Sequence, residues 1–310
     1  VAETLTTQIE TICTASKVSG DWSVAVVPAN PAEGGLSAAH DPQRIMAAAS
    51  IAKLGITYSV LERNIPLDKV IQLQPEDRLP EPDIVRYFRD GFTLDVGTAL
   101  ERMLTNSSNT CARMLVRALG GPQNVNEIVA AQYPHTQLQA IQHPDYSIDG
   151  PHARFAYGTT TAPEAAGLMR ELLQDSYVGR MLSHSTYDYA LRRQLFPKDN
   201  LNMPILPRGA RTYRQIAKIA GGHLPDAAAR YLLQHTTPQG QTRFPNKEGS
   251  MTDEKDPQQR VRHDIAHIGN FIVAACSNNY GEDLPVGPLH PAHQTHGRIG
   301  KAVYNYSHAQ

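Results

Sequence analysis

The strongest strand signals of this chain lie at its two ends. Asp21-Trp-Ser-Val-Ala-Val-Val27 is an apolar, β-branched run stopped by Pro28. Asn30-Pro31-Ala-Glu-Gly-Gly35 is turn chemistry, so a hairpin partner is expected near residues 36–40. Far along the chain, Arg262–Ile268 and Asn270–Cys276 form a second strand pair about the Gly269-Asn270 turn, with Gln241–Lys247 reading as the start of another strand. Between these ends the chain reads as helices and loops. A strand needs partners, so the first strands are expected to pair with the last, with the helical middle beside the sheet.

The helical segments follow from period and caps. Residues 4–19 carry Leu5, Ile9, Ile12 and Val18 on one side. The run after Ser50 places Ile51, Leu54, Thr57, Tyr58 and Leu61 on a helical period. Thr93–Leu104 reads as a helix with Thr93 or Asp95 near its cap, and Thr110–Leu119 as another, closed by Gly120-Gly121-Pro122. Pro122–Ala131, a Thr161-capped segment to Leu173 with Glu164 three residues on, and residues 178–195 follow. Tyr213–Ile219, Asp226–His235 and a final segment over 293–305 also read as helical, whereas residues 133–158 show no period. The fold class expected is α/β plus all-α, with residues 1–40 and 241–310 in an α/β subdomain and residues 41–209 in an all-α one.

Composition excludes some functions. A formal net charge of -1 implies no nucleic acid or membrane-surface partner. No apolar run of about 18 residues is present, so no membrane span is expected. The start shows no basic stretch followed by an apolar one, so no signal peptide is visible, and an opening at Val1 suggests a processed or trimmed chain. Cys13, Cys111 and Cys276 form no C-x-x-C, and buried unpaired thiols are expected. His263 and His267 are four apart on a strand pattern, not on one helix face, so neither a metal nor a cofactor is expected. Nothing points to an oligomer, and a monomer is expected.

Three short motifs carry chemistry. Ser50-x-x-Lys53 sits at the start of a helical run, where residues three apart share a face and a hydroxyl can meet an amine. A buried lysine can serve as general base for a serine nucleophile, and a helix N-terminus favours a developing anion. Ser107-Ser108-Asn109 interrupts two helices, where a hydroxyl and an amide can point into a cleft. Lys247-Glu248-Gly249-Ser250 precedes the alternating strand, and its glycine lets a backbone approach a ligand. Each is weak alone; their order makes them strong together.

In that order they resemble the S-x-x-K, S-D-N and K-T-G pattern of the class A serine β-lactamases and the related penicillin-binding proteins. Flanking segments are similar too: Arg44–Lys53, Met103–Ala112, Leu115–Pro122, Thr159–Ala166 and His263-Asp-Ile-Ala266. The resemblance implies a β-lactamase/transpeptidase-like fold, an antiparallel sheet flanked by helices with a helical subdomain. It implies Ser50 as nucleophile and Lys53 as base or proton relay. Ser107 would pass a proton to the leaving nitrogen, Asn109 would bind the substrate amide, and Lys247 would raise the local positive potential. The backbone N–H groups of Ser50 and Ser250 would form the oxyanion hole, with Gly249 beside them, and Arg262 would meet a substrate carboxylate. It also implies a periplasmic or secreted protein acting on a small-molecule or peptide-like acyl substrate.

Four departures qualify this picture. Ser108 replaces the aspartate of S-D-N, a structural position. Glu248 replaces the hydroxyl residue of K-T-G; an ionised Glu cannot donate a hydrogen bond to a substrate carboxylate. So Glu248 either turns away, pairing with Lys247, or the substrate lacks an anion there. The loop before Thr159 has no glutamate to activate a deacylating water; counting from either side reaches Gln142 or Asp145, of which Asp145 can act as a base and Asp149 is a further candidate. Leu206-Pro207-Arg208-Gly209 resembles the lead-in to the K-T-G strand, which makes residues 210–240 a helical insertion near the cleft. The expected function is therefore a serine hydrolase that acylates Ser50, β-lactamase-like with weak or atypical turnover. The alternatives are a penicillin-binding D,D-peptidase or an esterase on the same scaffold, or a catalytically weak ligand-binding relative.

Overall fold

The two ends of the chain meet in one sheet. The structure, a computed structural model, describes residues 4–16, 20–78, 85, 88–138, 158–183, 246–252, 260–278 and 291–309. Helix α1 (Leu5–Thr14) leads into strands β1 (Asp21–Pro28) and β2 (Ala38–His40), and then β3 (Met46–Ala47) and helix α2 (Ala52–Glu62). Strands β4 (Val70–Gln72) and β5 (Thr93–Asp95) precede helices α3 (Val96–Thr105), α4 (Asn109–Ala118) and α5 (Pro122–Ala130). Strand β6 (Thr159–Thr160) precedes helices α6 (Ala162–Leu172) and α7 (Ser176–Ser183). Strands β7 (Asn246–Thr252), β8 (Arg260–Ile268) and β9 (Phe271–Asn278) and helix α8 (Pro291–Ala309) complete the described residues. The expected helices at 213–219 and 226–235, the insertion over 210–240, Leu206–Gly209, Gln142, Asp145 and Asp149 lie outside them.

The five-stranded sheet runs β2-β1-β9-β8-β7, antiparallel throughout. Strand β1 docks along the whole of β9, from Asp21↔Asn278 to Pro28↔Phe271, so Pro28 is the last residue of the strand rather than the one after it. Both sheet faces are covered, which is why β1 and β9 read as continuous apolar runs rather than alternating ones. On one face Ala25, Val27, Ile265, Ile272, Ala274 and Cys276 join the large cluster built from α2 to α7. On the other, Val24, Val26, Ala266, Val273 and Ala275 pack with Leu5 and Ile9 of α1 and Ile299 and Val303 of α8. All three cysteines are free and buried. Among the described residues, no helix is long and apolar enough to cross a membrane.

Local chemistry explains where the helices begin. Thr93–Asp95 is not the first turn of α3: it pairs with β4 as a short strand, and Asp95 caps the helix by accepting from the Thr98 N–H at 2.6 Å. Ser108 caps α4 in the same way, accepting from the Cys111 N–H at 3.1 Å. Thr161 caps α6, with its hydroxyl 3.4 Å from the Glu164 N–H. Helix α2 is entered through a short 3₁₀ turn, Ala49–Ile51, and is buried from Ala52 to Val60.

Helix α8 is longer than its polar sequence suggests, because a few contacts anchor it. Thr295 meets Ser16 of the α1 end at 3.0 Å, and His296, fully buried, meets the carbonyls of Ala292 and Ala275 at 2.7 and 3.0 Å. A neutral imidazole has one N–H and donates to one of these at a time. Burial is the larger influence and lowers the His296 pKa from the ordinary 6.5 to about 4. In that window the unfolded chain binds the proton and the folded chain does not, so stability is full above it and falls as pH falls. Urea unfolding free energy is expected to be about 2 kcal/mol lower at about pH 5 than at about pH 7.5 through this ring, and His296→Gln to remove that share of the slope. Separately, Ser108→Ala is expected to lose about 1 kcal/mol in the same measurement, the usual worth of an N-cap.

Candidate active site

Ser50 lies where the sheet side and the helical side of the molecule meet. The residue before it, Ala49, has φ of 45°, in the left-handed region. The turn then enters α2 with Lys53 one turn on, only 1% exposed. The Lys53 Nζ lies 3.0 Å from the Ser50 Oγ, 2.6 Å from the Ser107 carbonyl oxygen, 2.9 Å from the Ser107 Oγ and 2.6 Å from the Asn109 Oδ1. The amine is thus surrounded by acceptors from the break between α3 and α4.

That break is shaped by a second strained residue. Ser107 has φ of 54°, uncommon for a residue with a side chain. The conformation brings its carbonyl and its hydroxyl to the same amine. Its Oγ also donates to the Ser50 Oγ at 3.0 Å, and accepts from the Lys247 Nζ at 3.3 Å. Lys247, fully buried, comes from β7 on the far side. The structure therefore brings five residues of the three motifs, Ser50, Lys53, Ser107, Asn109 and Lys247, into one hydrogen-bonded cluster. Ser108, turned into the α4 cap, is buried beneath it.

The remaining site residues are placed by strand register. Lys247 pairs with Ile265, Glu248 with Asp264, Gly249 with His263 and Ser250 with Arg262. Position 248 is out of phase with Lys247, which is committed to Ser107, and its backbone pairs with Asp264. Arg262 shares a phase with Asp264, Ala266 and Ile268, not with the cluster, and its backbone carbonyl accepts from the Ser277 Oγ at 2.8 Å. Arg262 thus lies on the sheet face toward His296 of α8 and not toward the Lys53 pocket, which corrects its expected place at a substrate carboxylate. Asp145 lies outside the described residues.

Sequence reasoning missed His263. It stands in the inward phase of β8 between Val261 and Ile265, 1% exposed, and its Nε2 meets the Ala47 carbonyl, three residues before Ser50. Burial lowers its pKa to about 4, so the ring is neutral near pH 7. The available signal was a polar residue between two apolar ones, Val261 and Ile265, on one strand phase.

The chain matches the sequence model of the β-lactamase enzyme family over residues 4–307. No curated protein matches it by sequence. Among solved structures, it is similar to a class A β-lactamase representative from Bacteroides cellulosilyticus DSM 14838, with 15% identity, all of both chains covered and a TM-score of 0.65. A β-lactamase from Chitinophaga pinensis DSM 2588 shows 13% identity over 98% of this chain and 99% of that one, with a TM-score of 0.65. A PBP-A mutant, solved as an acyl-enzyme complex with penicillin G, shows 15% identity over 99% and 97%, with a TM-score of 0.64. At these identities the structures speak to the fold, and the fold is that of class A. With the family match spanning almost the whole chain, the protein belongs to the β-lactamase enzyme family, with its serine hydrolase fold.

Proposed function

We propose that this protein forms a covalent acyl-enzyme through Ser50 and turns it over slowly. The observation that carries the reading is the contact of the Ser50 Oγ with both the Lys53 Nζ and the Ser107 Oγ, each at 3.0 Å. As a free amine, Lys53 has two N–H groups and one lone pair. The Ser107 carbonyl and the Asn109 Oδ1, both at 2.6 Å, are acceptors only for those two N–H groups. The lone pair is then left for the Ser50 side, where a base has to stand.

The chemistry follows from that arrangement. The Ser50 Oγ attacks the acyl carbon as Lys53 takes its proton, and the carbonyl electrons move to oxygen. The backbone N–H groups of Ser50 and Ser250 stabilise that oxyanion, a role worth about 3–4 kcal/mol per donor elsewhere. Ser107 passes a proton to the leaving nitrogen, with Lys247 behind it. Asn109 and Gly249 line the substrate. Asp145 is the base we assign to deacylation; its arm is shorter than that of the glutamate in the family's pattern, which leaves the step slow. A secreted or periplasmic monomer acting on a β-lactam or peptide-like amide fits the family.

Intact-protein mass spectrometry with penicillin G and a chromogenic cephalosporin tests the reading. A Ser50 adduct that outlasts the assay, absent in Ser50→Ala, is expected. Rapid hydrolysis of both compounds without an adduct would reject slow turnover. No adduct, together with no ester hydrolysis sensitive to Ser50→Ala, would reject the serine hydrolase itself. Lys53→Met is expected to slow acylation by on the order of 10²–10⁴, the usual worth of a general base. Asp145→Asn is expected to lengthen the adduct's life; an unchanged lifetime would remove Asp145 from the mechanism.

A further inference from the structure

His263 ties the sheet to the segment that aims Ser50. Its Nδ1 accepts the Ser277 backbone N–H at 3.2 Å. A nitrogen that accepts carries no proton, so the neutral ring has its proton on Nε2. The Nε2 faces the Ala47 carbonyl and donates to it. Burial keeps the ring neutral, with its pKa lowered to about 4. Both ring nitrogens are therefore committed, each to a different part of the backbone.

The segment it reaches needs holding. Ala49 sits at φ of 45° immediately before Ser50. An alanine in the left-handed region costs on the order of 1 kcal/mol and persists only where its surroundings impose it. On one side the restraint comes from β6: Ala47 pairs with Thr159, and the Ala48 N–H donates to the Gly158 carbonyl at 2.8 Å. Gly158 has φ of 100°, and a Cβ there would lie 1.7 Å from the Gln137 carbonyl oxygen, so that side is tightly built. On the other side the restraint comes from β8: Val261 packs with Ala47 and Ala49, and His263 takes the Ala47 carbonyl.

We propose that His263 is a positioning residue for Ser50, its Nε2–H holding the Ala47 carbonyl so that the following turn aims the Ser50 Oγ. The proposal rests on Ser50 being the nucleophile. Reactive geometry is demanding: a displacement of about 1 Å can cost about 100-fold in rate. The bond acts before the acyl group arrives, so its loss slows acylation by any reagent that Ser50 attacks.

Two substitutions separate the two bonds of the ring. Asn carries an oxygen near the place of Nδ1 and keeps the Ser277 contact, but falls short of Ala47. Gln carries an N–H near the place of Nε2 and keeps the Ala47 contact. The readout is the second-order rate of Ser50 labelling of the full chain by an alkyl fluorophosphonate, followed by intact mass, with thermal melts confirming folding. His263→Asn is expected to slow labelling by about tenfold or more, and His263→Gln to stay within about threefold of wild type. A residue that only ties β8 to β9 through Ser277 would give the reverse order, and that result overturns the proposal. So does a His263→Asn protein that labels at the wild-type rate. Should His263→Asn fail to fold, His263→Gln decides alone: about threefold supports the proposal and about tenfold overturns it. A wild-type protein that takes no label removes the nucleophile reading and this proposal with it. A labelled wild type with unchanged variants removes this proposal only.

Discussion

The molecule depends on how one amine is buried. Lys53 is 1% exposed, and an amine without partners at such a site is unfavourable by several kcal/mol. Its acceptors come from the α3–α4 break, more than fifty positions along the chain. Packing α2 against α3 and α4 is therefore also an act of solvation: the helices must meet in a way that delivers Ser107 and Asn109 to Lys53. The strain at Ser107 is explained by the same need. At φ of 54° its carbonyl and hydroxyl both reach the amine, and two hydrogen bonds to a buried group offset the backbone cost.

The second strained residue has a different support. Ala49 makes no polar contact through its side chain, so its conformation has to be imposed by its neighbours. β6 holds one side and β8 the other, which makes the segment before Ser50 a bridge between the helical part and the sheet. This is why the chain's ends matter for chemistry far from them in sequence. Strand β8 is aligned by β9, β9 by β1, and the closing helix α8 covers their outer face.

Much of this was legible in the sequence, and the reasons differ by residue. Ser50 and Lys53 were paired by spacing, and the contact forms, although Ser50 occupies a 3₁₀ turn at the helix entrance. Thr161 was readable as a cap because capping chemistry is local, and Ser108 was readable as a structural substitute for the family's aspartate. Thr93–Asp95 was misread as helix because three residues of strand are decided by the partner at β4, which local propensity does not contain. Helix α8 looked too polar to extend to Ala309, since its anchors, His296 and Thr295, are polar residues satisfied across the fold. His263 was hidden for the same reason: its bond to Ala47 spans 216 positions, and one histidine among 13 carries no mark of that.

Strand β8 then carries two chemistries on its two phases. Val261, His263 and Ile265 serve the Ser50 side, and Arg262, Asp264 and Ala266 belong to the other. A slip of one residue would exchange them, sending His263 outward and a charged neighbour into the place of the Ala47 strap. The register is set at the Gly269-Asn270 turn, where Gly269 has φ of 58° and Ile268 pairs with Phe271. That turn is closed by α8: the Asn270 N–H donates to the Ser307 Oγ at 3.1 Å, and a Cβ on Gly269 would come within 2.2 Å of that oxygen. The last helix of the chain thus locks the turn, the turn locks the phase of β8, and the phase decides which side chain reaches the backbone before Ser50.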